Sequence, residues 1–254
     1  MAFSGALAYQ HALCMDLRHD KFTVAVVHKA TKKIVDQKVF TDFEFSRAGL
    51  DKILADDFFK PEFADFILTA GTIRNTLIPT GIFNVSKPAE IFKLNYTEPI
   101  DNLDYNRIPE LDIVNIYELP IWIKSAFVIR FPRVKMLHRS SVLLKGIFDQ
   151  PTFSPKAHLF IEEGSFYLFM TEKSKLQYFN RFDYKSLADI VYHVLFVAEQ
   201  KNIQPENLHL HLYGVSSKWS ALNEFSGFFK NSPVVSDEVE KGEYFMLAKQ
   251  LLCV

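Results

Sequence analysis

Cysteine is nearly absent from this chain of 254 residues, which has only Cys14 and Cys253. Two such positions make no disulfide framework, so a small stapled extracellular fold is excluded and a reducing cytoplasm is the simpler setting. An excess of charge of one sign is also missing: 29 Lys and Arg stand against 30 Asp and Glu, for a formal net charge of −1. Without a basic excess the chain lacks the means to hold a phosphate backbone, which argues against nucleic acid as a partner. No apolar run approaches the roughly 20 residues of a membrane span. The apolar stretch 1–8 is short and has no Lys or Arg before it, so it does not read as a signal peptide.

What is present describes a globular protein. Hydrophobic residues make up 48% of the chain, and the length suits one large domain or two moderate ones. Phenylalanine is abundant at 25 residues, enough for an aromatic-rich core or for a sticky partner surface.

The pattern is clearest over residues 157–217, which read strand, tight turn, strand, strand, long helix, strand. His158 to Ile161 runs into the turn Glu162-Glu163-Gly164-Ser165, and Phe166 to Met170 runs back out. A third strand over 176–179 follows. In the helix predicted over 185–201, Leu187, Ile190, Val191, Val194, Leu195 and Ala198 form one apolar stripe, with Asp183 or Ser186 as cap. The strand 208–212 then ends at Tyr213-Gly214.

A weaker copy of this order occupies the first eighty residues. Strands are predicted at 13–16, 22–27 and 34–40, then a helix at 47–55 capped by Ser46, then a strand at 66–68. Between the copies, 88–96 reads as helix, 101–106 as a polar turn, 112–117 as strand and 121–130 as helix. Residues 134–144 read as a strand entering a helix or turn, with His138 at its centre. The linker is placed at 150–155, which carries two prolines. This gives an N-terminal lobe over 1–150 and a C-terminal lobe over 151–254. Helices are expected over 219–229 and 240–252, the last of them able to return to the N-terminal lobe.

A strand–strand–strand–helix–strand unit used twice resembles the actin-like ATPase superfamily of sugar kinases, actins and heat-shock chaperones. The implied architecture is α/β, two ribonuclease-H-like lobes in an actin-like ATPase fold with a nucleotide cleft between them. The Phe131-Pro132 pair before the strand bearing His138, with the Phe-rich second half, resembles more closely an uncharacterised bacterial family of this fold. The actin-like proteins of type IV pilus assembly are a more distant resemblance.

In that superfamily each lobe offers a hairpin turn that cradles phosphate, with glycines for close backbone approach and a carboxylate to hold magnesium. Against the first motif, Asp-x-Gly-x-x-x-Thr/Ser, Asp16 matches but Arg18 replaces Gly and Phe22 replaces the hydroxyl. Against the second, Glu162 replaces the Asp, Gly164 and Ser165 match, and Phe166 replaces the last Gly. The adenosine-side Gly-Gly is reduced to Gly214. Aligned this way, the second hairpin turn is two residues shorter than the first. The resemblance therefore implies a cofactor site at Asp16, Arg18, Glu162, Gly164, Ser165 and Gly214 that has decayed, with Arg18, Phe22 and Phe166 filling the phosphate space.

The expected function is then a non-catalytic interaction or scaffold protein with no cofactor, no catalytic or metal residues, and another protein as partner. The alternative is an ATP-binding member with an unorthodox site. A two-metal nuclease would need more acids than Asp16, Asp20, Glu162 and Glu163 provide. His209 and His211 share a strand face but have no third ligand nearby, and read as exposed positions. His138 reads as a satisfied core residue, and Ser140-Ser141 and Ser216-Ser217 lack a glycine elbow.

Overall fold

The computed structural model describes residues 5–72, 74–147, 154–173, 175–214, 225, 227–229, 234–235 and 244–253. The chain divides into two compact units, residues 1–146 together with 246–254, and residues 147–245. Among the described residues no helix is long and apolar enough to cross a membrane.

The first unit is built on β1 (His11–Leu17), β2 (Lys21–His28), β3 (Ile34–Thr41), β4 (Asp65–Ala70) and β8 (Lys135–His138), in the order β3-β2-β1-β4-β8. β1 is buried along its whole length. It pairs antiparallel with β2 and parallel with β4, which fits a central strand whose apolar character hardly alternates. Helix α1 (Arg47–Leu54) follows β3. Ser46 starts it by accepting from the Gly49 amide at 3.2 Å, and Leu50, Ile53 and Leu54 turn to the sheet. There they meet Leu13, Met15, Phe22 and Val24, with Ile123, Ala126 and Phe127 of α3 (Ile121–Arg130).

An inserted three-stranded sheet, β5 (Asn75–Pro79), β6 (Leu103–Ile108) and β7 (Ile113–Glu118), has the order β5-β7-β6. It covers its own small core of Ile78, Val114 and Ile116 with Phe92 of α2 (Pro88–Phe92). The polar turn expected over 101–106 is thus largely strand. Its polar residues are the reverse face of β6. Asp104 pairs with Lys124 at 2.8 Å, while the Asn106 amide accepts from His138 N at 2.7 Å and donates to Met136 O at 3.2 Å. Asn106 so bonds both a donor and an acceptor of this edge of β8, where the Tyr117 hydroxyl also donates to Met136 O at 3.4 Å, and polarity here reports hydrogen bonding and not a turn.

The second unit repeats the first. β9 (Lys156–Glu162), β10 (Ser165–Glu172), β11 (Lys175–Asp183), β12 (His209–Tyr213) and β13 (Val234–Val235) take the order β11-β10-β9-β12-β13. The senses repeat as well, antiparallel for β9/β10 and β10/β11 and parallel for β9/β12. α5 (Leu187–Gln200) begins at Ser186 with a full capping box through Asp189, and buries Ile190, Val191, Val194, Val197 and Ala198. Even the irregularity between strands two and three recurs. It falls at Val26/Val27 in one unit and at Met170/Thr171 in the other.

The innermost pairs are Leu17–Phe22 in the first hairpin and Glu162–Ser165 in the second, so the turns enclose residues 18–21 and 163–164 and the second is two residues shorter, although Leu17–Phe22 and Ile161–Phe166 are corresponding pairs. The C-terminal helix is described over Phe245–Gln250. The helix expected over 219–229 and the linker lie mostly outside the described residues.

Candidate functional site

The residues implied by the resemblance fall in two places, one in each unit. In the first, Asp16 is the penultimate residue of β1, beside the tips of β4 and β8. Its carboxylate forms a salt bridge with Arg139, the first residue of α4 (Arg139–Ile147), and the two side chains are only 7% and 3% exposed. The arginine stem crosses the end of β4 so closely that a Cβ on Gly71 would lie 2.8 Å from its Cδ. A carboxylate that could hold a hydrated cation is thereby given a cation from its own chain.

Several neighbouring donors are bonded within the same unit, although among the described residues Gln250 Oε1 and Thr72 Oγ1 are buried without a hydrogen-bond partner. The Gln250 amide donates to Met15 O at 2.8 Å and to Thr69 Oγ1. His138 Nε2 lies 2.9 Å from Thr72 O, an acceptor only, so this nitrogen carries the proton. Nδ1 must then accept from Ser140 Oγ, 2.6 Å away, and from the Ser140 amide at 3.2 Å. Burial lowers the His138 pKa to about 4. It is a neutral core histidine, and Ser140, wholly buried, is its partner rather than a nucleophile.

Arg18 folds over its own turn, with Nε 3.3 Å from Asp20. Phe22 points into the core, where its ring faces Phe40, Phe59 and Phe127 at 5.8–6.1 Å. It does not fill a phosphate space, and nor does Phe166. That ring is wholly buried against Phe182 and His193 under α5.

In the second unit Gly164 holds the turn at φ +73° with open space where a Cβ would stand. Tyr184 clamps this turn, its amide donating to Gly164 O at 3.0 Å and its hydroxyl to Glu162 O at 2.8 Å. Ser165 is buried opposite Glu162. Gly214 also has φ +73°, but here a Cβ would lie 2.7 Å from Ile161 O and 2.9 Å from the Phe160 ring. The close approach that requires this glycine is to its own sheet.

Register shows what the motif alignment missed. Asp16 pairs with Thr23 and Thr69, and Phe160 pairs with Tyr167 and Tyr213. Phe160 therefore takes the place of Asp16, and Glu162 the place of Arg18. Around Phe160 the second unit has rings, Phe245 at 5.2 Å and Tyr167 at 6.4 Å, where the first has Asp16, Thr69 and Arg139. The signal was present in the sequence: Leu17 and Phe22 align with Ile161 and Phe166 without a gap, and Phe40 with Phe182 and the caps Ser46 with Ser186 follow after shifts of two residues each.

His211 stacks on His158 at 5.2 Å, and His158 is held by the Tyr213 hydroxyl at 3.1 Å and Thr171 Oγ1 at 3.3 Å. Among the described residues no three His, Cys, Asp or Glu side chains group to hold a metal ion. The residues do not fit a magnesium nucleotide. One carboxylate is paired internally, its counterpart is a phenylalanine, and the first turn carries Arg18 where close approach needs glycine.

Residues 2–231 match the family described as protein of unknown function (DUF3822). The chain belongs to this family. It is also similar to a Bacteroides thetaiotaomicron protein with actin-like ATPase fold and unknown function, at TM-score 0.83 and 20% identity over 100% of both chains. A second likeness is to a chain of the PilM–PilN type IV pilus biogenesis complex, at TM-score 0.59 and 9% identity over 95% of this chain and 97% of that one. The ethanolamine utilization protein EutJ from Carboxydothermus hydrogenoformans gives TM-score 0.54 and 10% identity over 96% and 89%. No curated protein matches. The fold of this DUF3822 member is the actin-like ATPase fold, and at these identities the likeness establishes the fold alone.

Proposed function

We propose that this DUF3822 protein is a non-catalytic interaction protein whose actin-like ATPase fold carries a decayed nucleotide site. The observation that carries the reading is the Asp16–Arg139 salt bridge, which gives an internal cation to the carboxylate that a magnesium nucleotide would need. The second unit supports it, because Phe160 and its ring neighbours stand where a second polar site would be built. A fold without a substrate site retains its surfaces, and PilM, a protein of the same fold, occurs in a complex with PilN.

Thermal unfolding with millimolar Mg-ATP, Mg-ADP or Mg-GTP tests the reading. A ligand at a hundred times its dissociation constant would add about 2.7 kcal/mol, so even modest affinity is visible. No rise in Tm is expected. A saturable rise with any of the three overturns the proposal in favour of nucleotide binding.

A further inference from the structure

We propose that the inserted sheet of the first unit presents a docking surface for an acidic, apolar segment of a partner protein, whose carboxylate is received by Arg107. This rests on the reading of the protein as an interaction module and names the chemistry of its partner.

The surface is built from β6 and the loop after β5. Tyr105 and Arg107 lie two apart on β6 and so share a face, the face that covers Val114 and Ile116. The Phe83 ring lies 4.8 Å from that of Tyr105, and the Arg107 guanidinium carbon stands 5.1 Å from the first ring and 5.8 Å from the second. Two rings fix the guanidinium by its face. Its N–H edge then needs an acceptor, and a planar fork suits a carboxylate.

The chain does not supply one. Around this sheet Glu90 is taken by Lys87, Asp104 by Lys124, Glu110 by Lys145, and Glu98 and Glu118 by Arg74, while Asp112 in the β6–β7 turn makes no ion pair with Arg107. Among the described residues none pairs with exposed Arg107. Flanking Phe83 in sequence, Ile82 is 63% exposed and Val85 53%. Single exposed apolar residues are ordinary. Two of them beside a pre-ordered, uncompensated arginine and two half-buried rings make the composition of an interface hot spot. Charge complementarity sets the partner as acidic, and the exposed aliphatic pair sets it as apolar beside the acid.

A phage library of random dodecapeptides selected against the full-length chain tests this. Enriched sequences should carry Asp or Glu next to Leu, Ile or Phe. The tightest, made as a synthetic peptide, should lose about tenfold or more in affinity for Arg107→Glu and for Arg107→Ala. Arg133→Glu, an exposed arginine elsewhere, should leave binding unchanged, and an acid-to-lysine peptide should recover affinity for Arg107→Glu. Unchanged circular dichroism melting shows that the variants fold. Enriched peptides without acids, peptides indifferent to both Arg107 variants, or no enrichment would each overturn the assignment. If Mg-ATP also gives no response, such a failure removes this surface and leaves the non-catalytic reading in place.

Discussion

Asp16 is the residue on which the two readings of this protein differ most sharply, and its replacement separates them. If it is a ligand for a nucleotide-bound cation, Asp16→Ala relieves a concentrated negative charge and leaves stability unchanged or slightly raised. If it is the internal partner of Arg139, the same change strands a guanidinium whose side chain is only 3% exposed. Leaving one member of a buried pair uncompensated costs about 3–5 kcal/mol, and Arg139→Ala should cost a similar amount by stranding the carboxylate. The doubly apolar variant Asp16→Leu/Arg139→Met removes both charges and should lose clearly less than the sum of the single losses. The coupling should reach about 2–3 kcal/mol, the upper range for groups in one network. Urea unfolding followed by tryptophan fluorescence measures this in a Trp219→Phe background, where Trp122 reports on the first unit. Single losses that add to within about 0.5 kcal/mol, or an Asp16→Ala variant as stable as the parent, would refute the salt bridge as the reason for this carboxylate.

How far the sequence carried the fold can be seen in single elements. The stripe of α5 and the Ser186 cap were legible because helical periodicity and capping are local, and the run of strands was legible because β1 and β2 are buried on both faces. β6 was misread for the opposite reason. Its outward face is Asp104 and Asn106, and their partners, Lys124 and the backbone of β8, are distant in sequence. Composition cannot tell a strand whose polar face is hydrogen-bonded from a solvated turn.

The site was less legible, and the failure has one cause. Acids were aligned with acids, which set Glu162 opposite Asp16, whereas the pairing of strands sets Phe160 there. Because side chains alternate along a strand, equivalence depends on register, and register is fixed by the apolar pairs Leu17–Phe22 and Ile161–Phe166. Arg139 was missed entirely. It lies 123 residues from Asp16, and a charged residue opening a helix gives no sign of burial until the fold is known.

Three further outcomes follow from the same geometry. Gly164→Ala should cost about 1–2 kcal/mol, since only the positive φ opposes a Cβ there. Gly214→Ala, with the same φ but a backbone oxygen 2.7 Å away, should cost clearly more in the same urea assay. Equal losses would mean that the contact with Ile161 O is not sterically limiting. The last outcome is acid sensitivity. Burial lowers the pKa of His138 to about 4 and that of His158 to about 3, so the folded chain refuses protons that the unfolded chain accepts near pH 6.5. Their contribution to stability is complete above pH 6.5 and declines as pH falls toward those lowered values. At pH 5 each should cost about 2 kcal/mol relative to pH 7.5, and Tm should fall accordingly. His138→Gln keeps a hydrogen-bonding side chain but cannot take the proton, so it should be less stable at pH 7.5 yet show a shallower fall toward pH 5. A parent protein whose Tm is flat between pH 7.5 and 5 would show that neither imidazole is as excluded from water as its burial implies.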